Sequence, residues 1–296
     1  MKIFYSPRYT AAREAFDTTR KATHVFNSLA ESPIPNVEIV EPTDATEEEL
    51  AAVHAPEYVA AVRTGEPIAL SESQGFKWDP GVWTMATATN GGVISAVFAA
   101  FQDGVAGSLS SGLHHARYKR GAGFCTFNGL VLGADEAQGL HGLRTLIIDL
   151  DAHCGGGTHE LIAERDFVDQ LDIATDSFDV YRPRAGCTLD IIIDASDYLS
   201  ALASRLAAVD AAKYGFVLYN AGMDVHQHCD IGGLPGMNFA RIEERERMVF
   251  DWCAQHKLPV AFVLAGGYEG EHLSTSQIVK LHRATIAAAA ARRTPC

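Results

Sequence analysis

Short, unbroken runs of apolar and β-branched residues recur along the chain, with helical stretches between them. Their spacing predicts strands at 1–5, 37–41, near 107–109, 144–151, 170–175, 188–194, 214–221 and 258–265. Runs such as RTLIIDLD and YGFVLYNAG do not alternate apolar with polar residues. Strands of that kind are buried on both faces, the pattern of a parallel sheet held between helix layers. Residues 46–62, where Thr46 and Glu49 stand at capping-box spacing, and 196–212 read as helices. No repeat, low-complexity tract or linker divides the chain. The fold expected is α/β: a single three-layer α/β/α domain over residues 1–296 with a mostly parallel sheet.

Composition removes several classes. The 296 residues are 47% hydrophobic and 21% charged, which excludes a disordered or collagen-like chain. No apolar run approaches the ~18 residues of a membrane span, and MKIFYS lacks the layout of a signal peptide, so a cytoplasmic location is expected. The formal charge of −13 disfavours direct contact with nucleic-acid backbone and favours cationic substrates weakly. Six cysteines, at 125, 154, 187, 229, 253 and 296, show no CxxC spacing and read as reduced, buried thiols.

Polar clusters follow the predicted strands directly: HHA after 107–109, DLDAH at the end of 144–151, GMDVH after 214–221 and GGY after 258–265. Ligands of open parallel sheets bind at the carboxyl ends of the strands. Alternation along an emerging strand puts Asp149, Asp151 and His153 on one side. Two carboxylates there repel unless a cation or hydrogen-bond donors neutralise them. Asp151 and His153, joined by Asp224 from another strand, suit a zinc-like ion with an open coordination position. The bland alternative is an Asp capping a helix and a His satisfied in the core. The adjacent His114 and His115 offer two acid–base groups near neutral pH; they could equally be surface-loop histidines. Tyr268, behind Gly266 and Gly267, can aim its hydroxyl at an oxyanion, though a plain strand-to-loop turn would read the same.

In order and combination, these segments resemble the zinc-dependent deacetylases: histone deacetylases, acetylpolyamine amidohydrolases and acetoin-utilisation proteins of the arginase–deacetylase fold. The similar stretches are AAVHAPEY (51–58), GLHHA (112–116), GFCTFN (123–128), DLDAH (149–153), GMDVH (222–226) and LAGGY (264–268). The resemblance implies one zinc on Asp151, His153 and Asp224, with a structural monovalent cation such as K⁺ also compatible. It implies His115 as general base and later acid, and His114 as electrostatic partner held by Asp149. It further implies Tyr268 as oxyanion donor and Gly123 and Phe124 as the lining of an acyl channel. The reaction implied is removal of a short acyl group, such as acetyl, from an acyl-lysine or an acylated polyamine or small amine.

The chain departs from that pattern in places. Where relatives read D-x-D-x-H-H-G-[ND]-G, this chain has Cys154-Gly155-Gly156-Gly157, so the Asn or Asp expected to hold the second histidine is replaced by Gly156. Water, Cys154 or His159 are the substitutes near in sequence; Cys154 otherwise reads as a packing thiol. The H-x-E-x-P-x-R segment is absent, with Phe16–Arg20 in its region, and Tyr181-Arg182-Pro183-Arg184 stands near the missing P-G-T-G loop. Asp79 is a candidate rim carboxylate or a turn residue. Two rival functions remain. A binuclear manganese ureohydrolase would need carboxylates where Gly155 and His226 stand. A zinc protein that binds acyl groups with little turnover is motivated by Gly156.

Overall fold

Along the central strands, neighbouring side chains enter two different cores, which is the physical content of the unbroken apolar runs. Leu146 and Ile148, like Val217 and Tyr219, pack in one cluster. Ile147, Phe216 and Leu218 pack in the other. The computed structural model describes residues 1–14 and 17–292. Phe16 and Cys296 lie outside the described residues.

Eight strands form one sheet: β1 (Lys2–Phe4), β2 (Glu38–Val40), β3 (Val105–Ser108), β4 (Thr145–Asp149), β5 (Val168–Ala174), β6 (Cys187–Ile191), β7 (Phe216–Asn220) and β8 (Val260–Val263). Their order is β2-β1-β3-β8-β7-β4-β5-β6, and every pairing is parallel. The expected strands are all present, most a few residues shorter than the apolar run that announces them. Among the described residues there are ten α-helices: α1 (Asp17–Glu31), α2 (Glu47–Val53), α3 (Pro56–Thr64), α4 (Ile68–Ser71), α5 (Pro80–Asp103), α6 (Gly129–His141), α7 (Gly156–Leu161), α8 (Ala195–Ala208), α9 (Phe239–Gln255) and α10 (Thr275–Ala291). Helices α1, α8, α9 and α10 cover one face through Val25, Leu202, Val249 and Ile278. The other face is covered by α2, α3, α5 and α6 through Leu50, Val59, Val93 and Leu130. The three-layer expectation holds.

Three sequence expectations need correction. Residues 46–62 are two helices, because His54 leaves the helical region and Pro56 starts a new helix at its first position. The Thr46–Glu49 capping box is present at the start of the first. The helix expected over 196–212 ends at Ala208, and a 3-10 turn follows at Ala211–Lys213. Helix α5 is long and apolar enough to cross a membrane by length and composition, contrary to the reading that no run approaches that size. It is instead the central core helix, with 78% of its most apolar stretch buried.

Register puts β4 between β5 and β7, with Asp149 level with Asn220 and Asp172. The tips of these three strands therefore bring buried polar side chains together at the carboxyl edge.

Candidate active site

The site is built on the tips of β4 and β7. Beyond β4 the chain turns sharply, and Asp149 Oδ1 accepts hydrogen bonds from the Asp151 N–H at 3.2 Å and Asn220 Nδ2 at 2.8 Å. Asp151 Oδ1 accepts from the His153 N–H at 3.1 Å, and its Oδ2 accepts from the Gly266 N–H at 2.7 Å. Asp224, four residues past β7, accepts from the Ala152 N–H at 2.9 Å through Oδ1. Each carboxylate is thus fixed by backbone amides. Gly266 has to be glycine, since a Cβ there would sit 2.0 Å from Asp224 Oδ2.

Asp151, His153 and Asp224 are the one group among the described residues whose ligand atoms converge, all within 4.8 Å of one another. His153 Nδ1 lies 3.0 Å from Asp151 Oδ1 and 3.2 Å from Asp224 Oδ2. Burial acts to lower the His153 pKa, but the two carboxylates outweigh it and raise it to about 11. Burial, and then Asp151 beside it, pushes Asp224 up to about 6. Two buried carboxylates thus demand positive charge between them. Asp224 Oδ2 has no hydrogen-bond partner, an unusual cost for a buried carboxylate oxygen. A divalent ion fits this donor set on both counts.

The histidine pair sits beside it. His114 Nδ1 donates to Asp149 Oδ2 at 2.9 Å, and its Nε2 is 3.6 Å from Asp151 Oδ1. His115 Nδ1 donates to Asp179 Oδ2 at 2.9 Å. The two rings lie 3.9 Å apart between centroids. Sequence reasoning found no partner for His115 and offered water, Cys154 or His159. Neither residue reaches it: Cys154 Sγ donates to the Asp176 carbonyl, and His159 stacks on Tyr181 at 4.1 Å. Cys154 is the packing thiol expected, fully buried. Asp179 comes from the loop between β5 and β6, where no strand or spacing signal marked it.

A cavity of about 450 Å³ opens onto this cluster, lined by His115, His153, Tyr268, Gly123, Phe124 and Phe178 among others. Gly123 and Phe124, the residues expected to line an acyl channel, are among its walls. Phe178, which the sequence reading passed over, stands edge-on to His115 at 5.0 Å. Asp79 is no rim residue: it caps α5, accepting from the Gly81 N–H at 2.7 Å. Arg184 Nη1 donates to the His159 carbonyl at 2.7 Å.

Residues 16–284 match the family described as the histone deacetylase domain. An uncharacterized protein of Picosynechococcus sp. is 32% identical over 226 residues, covering 74% of this chain and 75% of that one. Histone deacetylase 2 of Arabidopsis thaliana is 28% identical over 248 residues, 78% of this chain, and the match spans 63% of the Arabidopsis protein's length. Among solved structures, the HD domain of HDA15 superposes with a TM-score of 0.80 at 20% identity, covering 100% of this chain and 90% of that one. The last likeness speaks to the fold.

Proposed function

The chain belongs to the histone deacetylase family, and from that premise we propose a mononuclear zinc amidohydrolase that removes a short acyl group from an amine. The observation that carries this is the convergence of Asp151, His153 and Asp224 beside a buried histidine pair, next to a cavity of about 450 Å³. When bound by those three residues, zinc supplies Lewis-acid polarisation of the scissile carbonyl and a nucleophile at neutral pH.

The protein groups divide the remaining work. With Nδ1 donating to a carboxylate, His115 keeps its Nε2 lone pair to take a proton from the attacking water and pass it to the leaving amine. Burial, and next the charge on His114, holds the His115 pKa down at about 4, so the ring is neutral and ready as a base near pH 7. In His114, burial is outweighed by Asp149 and Asp151, and the pKa rises to about 10; its fixed positive charge favours the negative charge that develops beside it. Tyr268 keeps its proton, burial and the two ligand carboxylates raising its pKa well above the ordinary value, and so donates to the tetrahedral oxyanion. Gly123, Phe124 and Phe178 line the cavity, where they would exclude water from the acyl group.

The experiment is metal analysis with a panel of acetylated lysine peptides, polyamines and small amines. Wild type should hold one zinc per chain and turn over at least one class. Tyr268→Phe should retain the metal and lose about 10²–10³-fold in kcat, as for removal of one oxyanion donor. A zinc-loaded protein that binds acyl amides without hydrolysing any would favour the binding-protein reading. Two manganese ions per chain would favour the ureohydrolase.

A further inference from the structure

We infer that Asp179 is the positioning residue for His115, delivered from the β5–β6 loop into space that Gly156 leaves open. The role in proton transfer rests on the function proposed above; the contact itself does not.

The carboxylate is held at both oxygens. Oδ2 accepts from His115 Nδ1 at 2.9 Å and from the Gly157 N–H at 3.0 Å. Oδ1 accepts from Arg117 Nη2, and Arg117 Nη1 in turn donates to Glu160 Oε2 at 2.6 Å. Asp179 has φ 61°, a left-handed conformation that a non-glycine residue adopts at a cost. Its side chain is only 7% exposed. A buried, doubly held carboxylate on a strained backbone is aimed, not merely tolerated. Burial pushes its pKa up, but His115 and Arg117 outweigh that and hold it below the usual carboxylate range. An ionised carboxylate can only accept, so it fixes the proton of the imidazole on Nδ1 and leaves the lone pair on Nε2.

Gly156 is the companion of this arrangement. A Cβ at that position would sit 2.3 Å from the Asp179 carbonyl oxygen and 2.6 Å from its Oδ1. A side chain at 156 and Asp179 in its present place exclude one another. The glycine that reads as a missing partner is the vacancy through which the partner enters. Phe178, next in the chain, forms the cavity wall against His115, so one loop sets both the orientation of the imidazole and the width of the channel.

The test begins with metal-free protein, by ¹H–¹⁵N spectroscopy of the histidine rings. A protected Nδ1–H signal, assigned to His115 by its loss in His115→Gln, should appear in wild type and in Asp179→Asn, whose amide oxygen still accepts. It should vanish in Asp179→Ala. In zinc-loaded protein, Asp179→Ala should lose about 10–100-fold in kcat while KM and metal content stay near wild type, and Asp179→Asn should recover much of the loss. An unchanged ring signal in Asp179→Ala overturns the inference. So does a loss shared equally by both variants and accompanied by a rise in KM, which would make Asp179 a loop anchor alone. Should wild type hydrolyse no acyl amide, the proposed function fails, and the ring signal still decides the contact.

Discussion

His114 and His115 are consecutive residues, both almost fully buried, yet their environments drive them in opposite directions, to about 10 and about 4. His114 meets Asp149 at the tip of β4, a carboxylate placed by sheet register and braced by Asn220 from the neighbouring strand. His115 meets Asp179 on a loop after β5, placed by an arginine, a backbone amide and a left-handed residue. Burial alone would lower both pKa values. The charges around each ring decide the outcome: Asp149, Asp151 and Asp172 together outweigh burial at His114, whereas at His115 burial and the neighbouring His114 outweigh Asp179 and Asp151. Similar sequence neighbourhoods therefore yield a charged imidazole and a neutral one.

The strongest way to separate the halves is to break the one proposed to hold the metal. Asp224→Asn keeps the side chain's size and removes one of two ligand charges. Metal content after dialysis should fall to near zero, and kcat/KM should drop by at least about 10³-fold, the scale of several kcal/mol of lost charge stabilisation. The His115 ring signal in metal-free protein should not change, because neither Asp179 nor Arg117 touches Asp224. A variant with full metal content and turnover would remove Asp224 from the ligand set. A ring signal that disappeared with the metal site would show that the halves are one unit.

The same contrast explains what was legible in the sequence. Asp149 ends β4, and Asp151, His153 and Asp224 lie within four residues of strand ends, where the carboxyl-edge rule translates directly into position although strand alternation has already stopped. The apolar runs mark the central strands β3, β4, β5, β7 and β8 for a related reason, since burial on both faces leaves a local trace. Asp179 leaves none. Its place depends on Arg117 and Glu160, both distant in sequence, and on the absence of a side chain at Gly156, which by itself reads as a defect. Helical periodicity continues on both sides of Pro56, and only the proline at the first position of α3 marks the break. In α5, apolar residues on all sides reflect contacts with strands and helices on several faces, a tertiary fact that composition cannot distinguish from a lipid-facing helix.

A third buried histidine links the halves and sharpens the comparison through pH. His54 Nδ1 donates to the Arg117 carbonyl at 2.8 Å, and its Nε2 accepts from the Asn128 N–H at 2.9 Å. That pattern requires the neutral ring, and burial lowers its pKa from 6.5 to about 4. Above pH 6.5 neither the folded nor the unfolded chain protonates it. Below that, the unfolded chain binds a proton that the folded one refuses, so stability falls as pH drops toward 4 and this loss then levels off. The full contribution is on the order of 3 kcal/mol, at about 1.4 kcal/mol per pH unit. Denaturant melts from pH 7 to pH 4.5 should show a wild-type slope steeper than that of His54→Gln, which can donate and accept similarly without titrating. Parallel curves would mean that His54 is not held neutral.

The smallest effect probes the vacancy itself. Gly156→Ala adds one methyl group where the Asp179 carbonyl oxygen would be 2.3 Å away. Backbone, not a flexible side-chain end, is the obstacle, so the β5–β6 loop must retreat. Overpacking of this kind costs about 1–3 kcal/mol, measurable as a lower denaturation midpoint at an unchanged m-value. The retreat should carry Asp179 away from His115, weakening the ring Nδ1–H signal while leaving His114–Asp149 and metal content as they are. A stability loss with the ring signal intact would mean that the loop yields at its backbone while the carboxylate keeps its hold. A variant as stable as wild type would show that positions 156 and 179 do not compete for the same space.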